Sequence, residues 1–259
     1  MKENSVSFIG AGNLAWHLAP ALDNAGYAVR EVFSRNEKNA NAVAERLYEC
    51  EVVSDPDFSQ SPSTIFVLAV SDDAIPEVLE SLVLPEDAIL VHTSGSQPLS
   101  VLNDFPVRDT GVFYPLQTFS KGRKVDLERV PIFVESANDT VIRTLTAMGK
   151  AISRTVITIS SEERKALHVA AVFASNFTNH MLTIAQQIMR GHNMKYELLK
   201  PLIAETLNKS LELGPVAAQT GPARRGDLQI LDAHMEFLAD DAELAEIYKN
   251  VSQHIIDSY

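Results

Sequence analysis

One short run constrains this 259-residue chain more than any other: Gly10-Ala11-Gly12-Asn13-Leu14-Ala15. It follows Val6-Ser7-Phe8-Ile9, an apolar run fit for a buried strand. It precedes Trp16-His17-Leu18-Ala19-Pro20-Ala21-Leu22, whose apolar residues recur at helical spacing. A Gly-x-Gly-x-x-Ala run at a strand-to-helix turn is the fingerprint of a dinucleotide-binding turn. The first glycine permits the tight turn, the second lets a pyrophosphate approach the backbone, and the alanine lets helix pack closely on strand. The helix start then offers unpaired N–H groups and a partial positive charge to the phosphates. Gly10, Gly12, Asn13 and Leu14 are the residues expected to hold them.

Strand-like and helix-like segments keep alternating after this turn. Strands are expected over 29–33, 51–53, 64–70 and 88–92, with helices over 37–47 and 72–82. Weaker strands follow over 111–113, 131–135 and 155–159. Repeated βα alternation implies a mostly parallel sheet covered on both faces. The character changes at Ser160-Ser161-Glu162-Glu163, an S-x-x-E capping box that starts a helix. Beyond it no strand is expected. A long helix should run to about Arg190, with Gly191 as its left-handed stop, followed by helices over 196–213, 228–238 and 243–257. The expected architecture is an α/β Rossmann domain, doubly wound, over 1–159. An all-α domain for substrate and dimerisation follows over 160–259.

Composition removes several functional classes. The net charge is −12 with no basic tract, which argues against nucleic acid or an anionic membrane as partner. A single cysteine, Cys50, excludes an intrachain disulfide framework and fits a reducing, cytoplasmic setting. Met1-Lys2-Glu3-Asn4-Ser5 runs straight into the first strand, so no signal peptide is expected. The most apolar long segment, 166–189, is interrupted by His168, Asn176, Asn179, His180, Gln186 and Gln187, and reads as a buried helix of a soluble domain. The seven histidines lack ligand spacing, so no metal is expected, and no Ser-His-Asp constellation is discernible.

The second strand ends in Phe33-Ser34-Arg35-Asn36. An NAD-preferring fold usually carries Asp or Glu there to bind the ribose 2′-hydroxyl. Ser34 with Arg35 suits a 2′-phosphate instead, and Glu31 lies too far inside the strand to serve as ribose ligand, so the expected cofactor is NADP. Val70-Ser71-Asp72-Asp73 and His92-Thr93-Ser94-Gly95-Ser96 close the fourth and fifth strands at the sheet edge where ligands bind. Val70, Ser71 and Ser94 are accordingly expected along the cofactor. Asp72 and Asp73 read as caps of the next helix, and His92 as a packed strand residue.

On the long helix His168, Val172, Ser175, Asn179 and Gln186 share one face at regular helical spacing, with Asn176 beside them. Val169, Ala170, Phe173, Ala174 and Phe177 belong in a core. A polar row on a buried helix needs partners. They are either a substrate in a cleft between the domains or a satisfied internal network, for instance at a dimer interface. The loop Thr220-Gly221-Pro222-Ala223-Arg224-Arg225-Gly226-Asp227 places two arginines before a helix that Asp227 can cap. They suit a carboxylate or phosphate, or else an Arg–Asp pair that fixes the loop.

With these residues in view, the N-terminal domain resembles the deazaflavin-dependent and pyrroline-5-carboxylate reductase-like NADP oxidoreductases. The resemblance rests on Gly10-Ala11-Gly12-Asn13-Leu14-Ala15 and Ser34-Arg35. The whole chain resembles a two-domain family that joins such a domain to a helical domain of unknown function. The shared signatures are Gly111-Val112-Phe113-Tyr114-Pro115-Leu116-Gln117-Thr118-Phe119, His168 through Asn176-Phe177, and Thr220-Gly221-Pro222 with Arg225-Gly226-Asp227. More distantly, Tyr114-Pro115-Leu116 and the stretch from Ser175 to Asn179 are similar to prephenate dehydrogenases. Tyr114, Asn176 and Asn179 stand where that family has histidines. Nor does the helix carry the Lys-x-x-x-Asn pair of the β-hydroxyacid dehydrogenases, since Val172 precedes Asn176. The resemblance implies a cofactor class and a cleft, not a substrate.

The expectation is an NADP-dependent oxidoreductase passing hydride between nicotinamide and a small carbonyl, imine or hydroxy compound. Imidazole is the side chain that titrates nearest neutral, so His168 is the expected proton donor. Asn176 and Asn179 orient a substrate oxygen. Gly95, Tyr114, Ser175 and Arg225 contact substrate. The alternative is an inactive NADP-binding sensor. Ile184, Ile188, Leu198, Leu202, Leu207, Leu211 and Leu213 give the helical domain more apolar surface than one small globule buries, so a homodimer through that domain is expected.

Overall fold

The glycine-rich run joins β1 (Ser5–Ile9) to α1 (Asn13–Asn24) in the computed structural model, which describes residues 4–259. Met1, Lys2 and Glu3, within the segment on which the signal-peptide expectation rests, lie outside the described residues. Every residue of β1 is buried, because the strand lies mid-sheet with a layer on each side. Gly10 turns the chain at φ +109°, and a Cβ there would stand 2.4 Å from the Ala69 carbonyl oxygen. Only glycine meets both conditions.

The alternation continues through β2 (Ala28–Phe33), α2 (Glu37–Ala44), β3 (Glu51–Val53) and β4 (Ile65–Leu68). A 3₁₀ turn, Asp72–Ala74, leads into α3 (Ile75–Ser81), then come β5 (Ile89–His92), β6 (Asp109–Pro115) and β7 (Ile132–Glu135). After them come α4 (Asp139–Lys150) and β8 (Val156–Thr158). The sheet runs β3-β2-β1-β4-β5-β6-β7-β8, parallel throughout except for antiparallel β6 and β7. The order reverses between β1 and β4, whose register pairs Ile9 with Leu68. Their carboxyl ends therefore open side by side at the switch point, where ligands of such sheets bind.

Two apolar layers cover the sheet, and strand alternation sorts residues between them. Phe8 and Val67 pack with Leu18 and Leu22 of α1, while Ile9, Phe66 and Leu68 pack with Ile75 and Leu90 on the opposite face. No helix was expected over 139–150, where Thr140, Thr144 and Gly149 lower helical propensity. Tertiary packing decides otherwise: Val141, Leu145 and Met148 form one buried stripe, and Asn138 caps the helix by accepting from the Thr140 amide.

The capping box forms as read. Ser160 Oγ accepts from the Glu163 amide at 3.3 Å, and the Glu163 carboxylate returns to the Ser160 amide at 2.9 Å. It starts α5 (Ser161–Ala171), which passes through a π-helical turn, Val172–Phe177, into α6 (Thr178–Gly191). Strands end before Ser160, whereas the chain divides by contact further on, into compact units Met1–Asn179 and His180–Tyr259. The second unit holds most of α6, with α7 (Lys200–Leu213), α8 (Pro215–Ala218), α9 (Pro222–Arg225), α10 (Leu228–Phe237) and α11 (Ala242–Ser258).

Three local expectations are corrected here. Asn193 at φ +55°, not Gly191, supplies the left-handed turn after α6; its short amide side chain tolerates that conformation. Asp227 occupies the cap position of α10 without a side-chain capping bond, and its carboxylate lies 4.0 Å from Arg225 instead. Val169, Phe173 and Phe177 do not enter a core of this chain: Phe173 is 64% exposed, and Val169 and Phe177 are about half exposed.

The two glycines of the turn should separate fold from ligand. Gly10→Ala is expected to cost more than about 2 kcal/mol, through its positive φ and the clash with Ala69. A Cβ at Gly12 meets nothing within 4 Å, so Gly12→Ala should stay within about 0.5 kcal/mol of wild type. Urea midpoints of the two variants read the difference directly.

Candidate active site

Gly12 is the N-cap of α1 and offers no side-chain acceptor to the helix's first amides. Those N–H groups point out of a turn whose outer side is open at Gly12. The turn borders a cavity of about 270 Å³ together with Ser34, Arg35, Asn39, Val70 and Ser71. Asn13 and Leu14 form the first turn of the same helix. The strand-end loops of β1, β2 and β4 thus converge on one concave site, within the first unit. A glycine cradle with unpaired helix amides, beside a serine and an arginine, fits a dinucleotide phosphate chain.

At the ribose side, Arg35 Nη1 pairs with the Glu77 carboxylate at 2.8 Å, both side chains being well exposed. An exposed ion pair contributes about 0–1 kcal/mol, less than a charged hydrogen bond to phosphate, so the guanidinium remains available. Ser34 Oγ accepts from the Asn36 amide at 3.2 Å. Glu31 is engaged elsewhere, accepting from Ser7 Oγ at 2.7 Å and from Ser61 Oγ. No carboxylate therefore takes the usual ribose position at the end of β2.

The end of β5 is held by a residue that sequence reasoning passed over. Arg164, one helical turn into α5, is completely buried. Its Nη1 donates to the carbonyls of Ser94 at 2.8 Å and Gln97 at 2.7 Å, and its Nη2 pairs with Glu135 of β7 at 2.8 Å. Ser161 Oγ donates to the other Glu135 oxygen at 2.6 Å and accepts the Leu99 amide at 2.9 Å. Ser94 Oγ accepts the amides of Ser96 and Gln97, and Ser96 Oγ donates to Asp72. Asp72 thus bridges the β4 and β5 loops rather than capping α3 as expected.

That framework presses Gly95 against two side chains. A Cβ at Gly95 would lie 2.4 Å from His168 Nδ1 and 2.8 Å from Tyr114 Cζ, so glycine is what lets the loop reach them. Tyr114 Oη stands 3.1 Å from His168 Nδ1. Burial raises the Tyr114 phenol above its usual range, with Arg164 opposing and Asp72 adding weakly. The phenol therefore keeps its proton at neutral pH and can donate it.

A cavity of about 290 Å³ opens on this pair, lined by Leu116, Gln117, Thr118, Val172, Ser175 and Asn176 among others. The π-helical turn shifts the phase of the helix, and Thr178 Oγ1 donates to the Phe173 carbonyl five residues back. Regular spacing put Ser175 and Asn179 on the face of His168, with Asn176 beside it; Ser175 and Asn176 line the cavity with His168, whereas past the wider turn Asn179 is not among the lining residues. Gly95, Tyr114, His168, Ser175 and Asn176 thus come together, while Val70, Ser71 and the glycine turn border the other cavity. Arg225 belongs to the second unit, where it faces Asp227. That unit has its own apolar cavity of about 280 Å³, lined by Met181, Ile184, Leu231 and Ile255. Its Tyr248 hydroxyl is engaged by His234 at 2.7 Å, so it offers little chemistry. The described residues contain no cluster of metal-ligating side chains, and no helix among them is long and apolar enough to cross a membrane.

Comparison with known proteins bears on the fold and the cofactor class. A family described as "NADP oxidoreductase coenzyme F420-dependent" matches residues 5–95, and a domain of unknown function, DUF2520, matches 130–255. The crystal structure of BF3122 from Bacteroides fragilis, designated an NADP oxidoreductase, is 38% identical, with 99% of each chain covered and a TM-score of 0.90. TM1727 from Thermotoga maritima is 21% identical over 98% of each chain, at a TM-score of 0.70. A reductive aminase from Aspergillus terreus, solved with NADPH and ethyl levulinate, shares the fold at 13% identity and a TM-score of 0.73, with 98% of this chain and 94% of that one covered. None of the curated proteins matches the chain.

The framework also makes a pH prediction. His92 is fully buried, and its Nδ1 accepts the Ser94 amide at 3.2 Å. Burial first, and then the Arg164 charge, lower its pKa from 6.5 to about 4, against weaker pulls from the Pro98 carbonyl and Asp72. A histidine kept neutral in the fold but protonated in the unfolded chain contributes stability above pH 6.5 that is lost as pH falls toward 4. At about 1.4 kcal/mol per pH unit the loss is roughly 3 kcal/mol. His92→Asn should lack this component of acid destabilisation when unfolding is followed between pH 7 and 4. Identical pH dependence in both proteins would contradict the assignment.

Proposed function

We infer the reaction from a firm premise: the chain belongs to the NADP oxidoreductase family that joins this nucleotide-binding domain to a DUF2520 domain, and its cofactor is NADP. The reading supported best is reduction of a small, uncharged carbonyl or imine, or the reverse oxidation of the corresponding alcohol or amine. The carrying observation is the Tyr114–His168 hydrogen bond held against Gly95 at the end of β5. Bound NADPH supplies the hydride.

The chain's own residues do the rest. Gly12 and the first amides of α1 receive the pyrophosphate, and Ser34 and Arg35 the 2′-phosphate. Val70 and Ser71 border the glycine-turn cavity on the side toward the nicotinamide end, and Ser94, whose hydroxyl accepts two amides of its own loop, shapes the backbone beyond them. Tyr114 and His168 share a proton between Oη and Nδ1 and deliver it to the substrate heteroatom. Ser175 and Asn176 orient that atom. The cavity lining carries no carboxylate, lysine or arginine, so a neutral substrate enters without an unpaired buried charge. The A. terreus neighbour, solved with a keto ester, and an imine reductase from Streptomyces aurantiacus on the same fold make ketones and imines the first classes to assay.

Assembly belongs to the same proposal. In the second unit only Ala218, Ala223 and Leu231 are buried hydrophobics, while Leu198, Leu202, Leu211 and Leu213 are each more than 60% exposed. Amphipathic helices need a partner for such faces, and a symmetric second copy is the simplest one. Arg225 and Asn179 remain substrate-side candidates in the assembled enzyme. Light scattering reads the dimer.

The test is NADPH oxidation with cyclic imines, ketones with amines, aldehydes and oxo acids. Turnover is expected with a neutral imine or ketone. Tyr114→Phe and His168→Ala should each lower kcat by about 10²–10⁴-fold while NADPH still binds. Intact NADPH binding with no turnover across the panel would favour the inactive sensor.

A further inference from the structure

We propose that Lys121, on the loop after β6, is a second cation that reads the 2′-phosphate of NADP. This rests on the reading of Ser34 and Arg35 given above and extends it to a segment far away in sequence. Lys121 Nζ donates to Asn39 Oδ1 at 3.0 Å. Asn39 lies in the first turn of α2 and borders the cavity that Gly12, Ser34 and Arg35 also line. Lys121 therefore stands one hydrogen bond from the wall at the ribose side.

Several contacts hold the loop there. His17 Nε2 donates to the Ser120 carbonyl at 3.0 Å, and the His17 and Phe119 rings lie 5.6 Å apart. Lys121 Nζ sits 5.4 Å from the centre of the Trp16 ring, which also receives Arg46 at 4.1 Å. Lys121 is half-buried, with its Nζ held near the Trp16 ring of α1.

The charge balance makes the assignment specific. Arg35 is already matched by Glu77. No carboxylate of the described residues lies within ion-pairing distance of Lys121. An unmatched cation beside a phosphate cavity, in a protein of net charge −12, is electrostatically useful there. The amide of Asn39 provides a partner that can be exchanged for a phosphate oxygen at little cost. The same loop carries Gln117 and Thr118, which line the substrate cavity, so cofactor selection and substrate enclosure share one segment.

The experiment is equilibrium binding of NADPH and NADH, followed by nucleotide fluorescence, with a melting curve for every variant. Lys121→Met keeps the stem on Trp16 and removes the charge; Lys121→Arg keeps the charge. Lys121→Met should weaken NADPH roughly tenfold, leave NADH unchanged and flatten the salt dependence of NADPH binding. Lys121→Arg should retain most of the NADPH preference. Unchanged NADPH affinity in Lys121→Met, or equal losses for both nucleotides, overturns the proposal. Two outcomes separate this proposal from its premise. If the preference is lost in Arg35→Ala but kept in Lys121→Met, Lys121 alone is wrong. If the wild-type protein binds both nucleotides equally, the 2′-phosphate site is wrong as a whole.

Discussion

A guanidinium without solvent exposure sits at the junction of α5, β7 and the loop after β5. Arg164 satisfies its charge on Glu135 and its remaining donors on two loop carbonyls, Ser94 and Gln97. Burying such a group is costly, and removing one partner from a buried ion pair typically destabilises by about 3–5 kcal/mol. What the arrangement secures is position. It ties α5 to β7 and to the loop after β5, so that Gly95 meets His168 and Tyr114 at van der Waals distance. Without that tie nothing on the helix would fix the imidazole against the phenol.

The same logic separates the residues of the glycine turn. Gly10 serves the fold: its backbone angle and the Ala69 carbonyl leave no room for a side chain. Gly12 has ordinary backbone angles and open space where a Cβ would go. Its absent side chain matters only to something that approaches from outside. A position free in the protein but bare in sequence is what a phosphate site requires, and it lies where the strand order reverses.

Much of this was legible in the sequence because local signals carried it. The glycine turn, the Ser160–Glu163 capping box and the Ser34-Arg35 end of β2 depend on residues within a few positions of one another. The parts that escaped depend on distant contacts. Arg164 follows Ser161-Glu162-Glu163 and looks like one more solvated charge; only the fold brings Glu135 and the β5 loop around it. The helix over Asp139–Lys150 forms because a sheet face needs covering, against weak propensity. The π-helical turn has no composition of its own, and past it Asn179 does not line the cavity that His168, Ser175 and Asn176 share. Lys121 reaches Asn39 across 82 positions, beyond any periodicity argument.

The central claim is that a single cofactor spans the first unit from the glycine turn to the Ser94–Gly95 loop, ending beside Tyr114 and His168. Hydrogen–deuterium exchange with and without NADPH tests it most directly, since it reports protection segment by segment and needs no substrate. Protection is predicted at 10–15, 34–39, 69–74 and 94–97 together. Protection confined to the first two segments, or centred on 220–227, would contradict it.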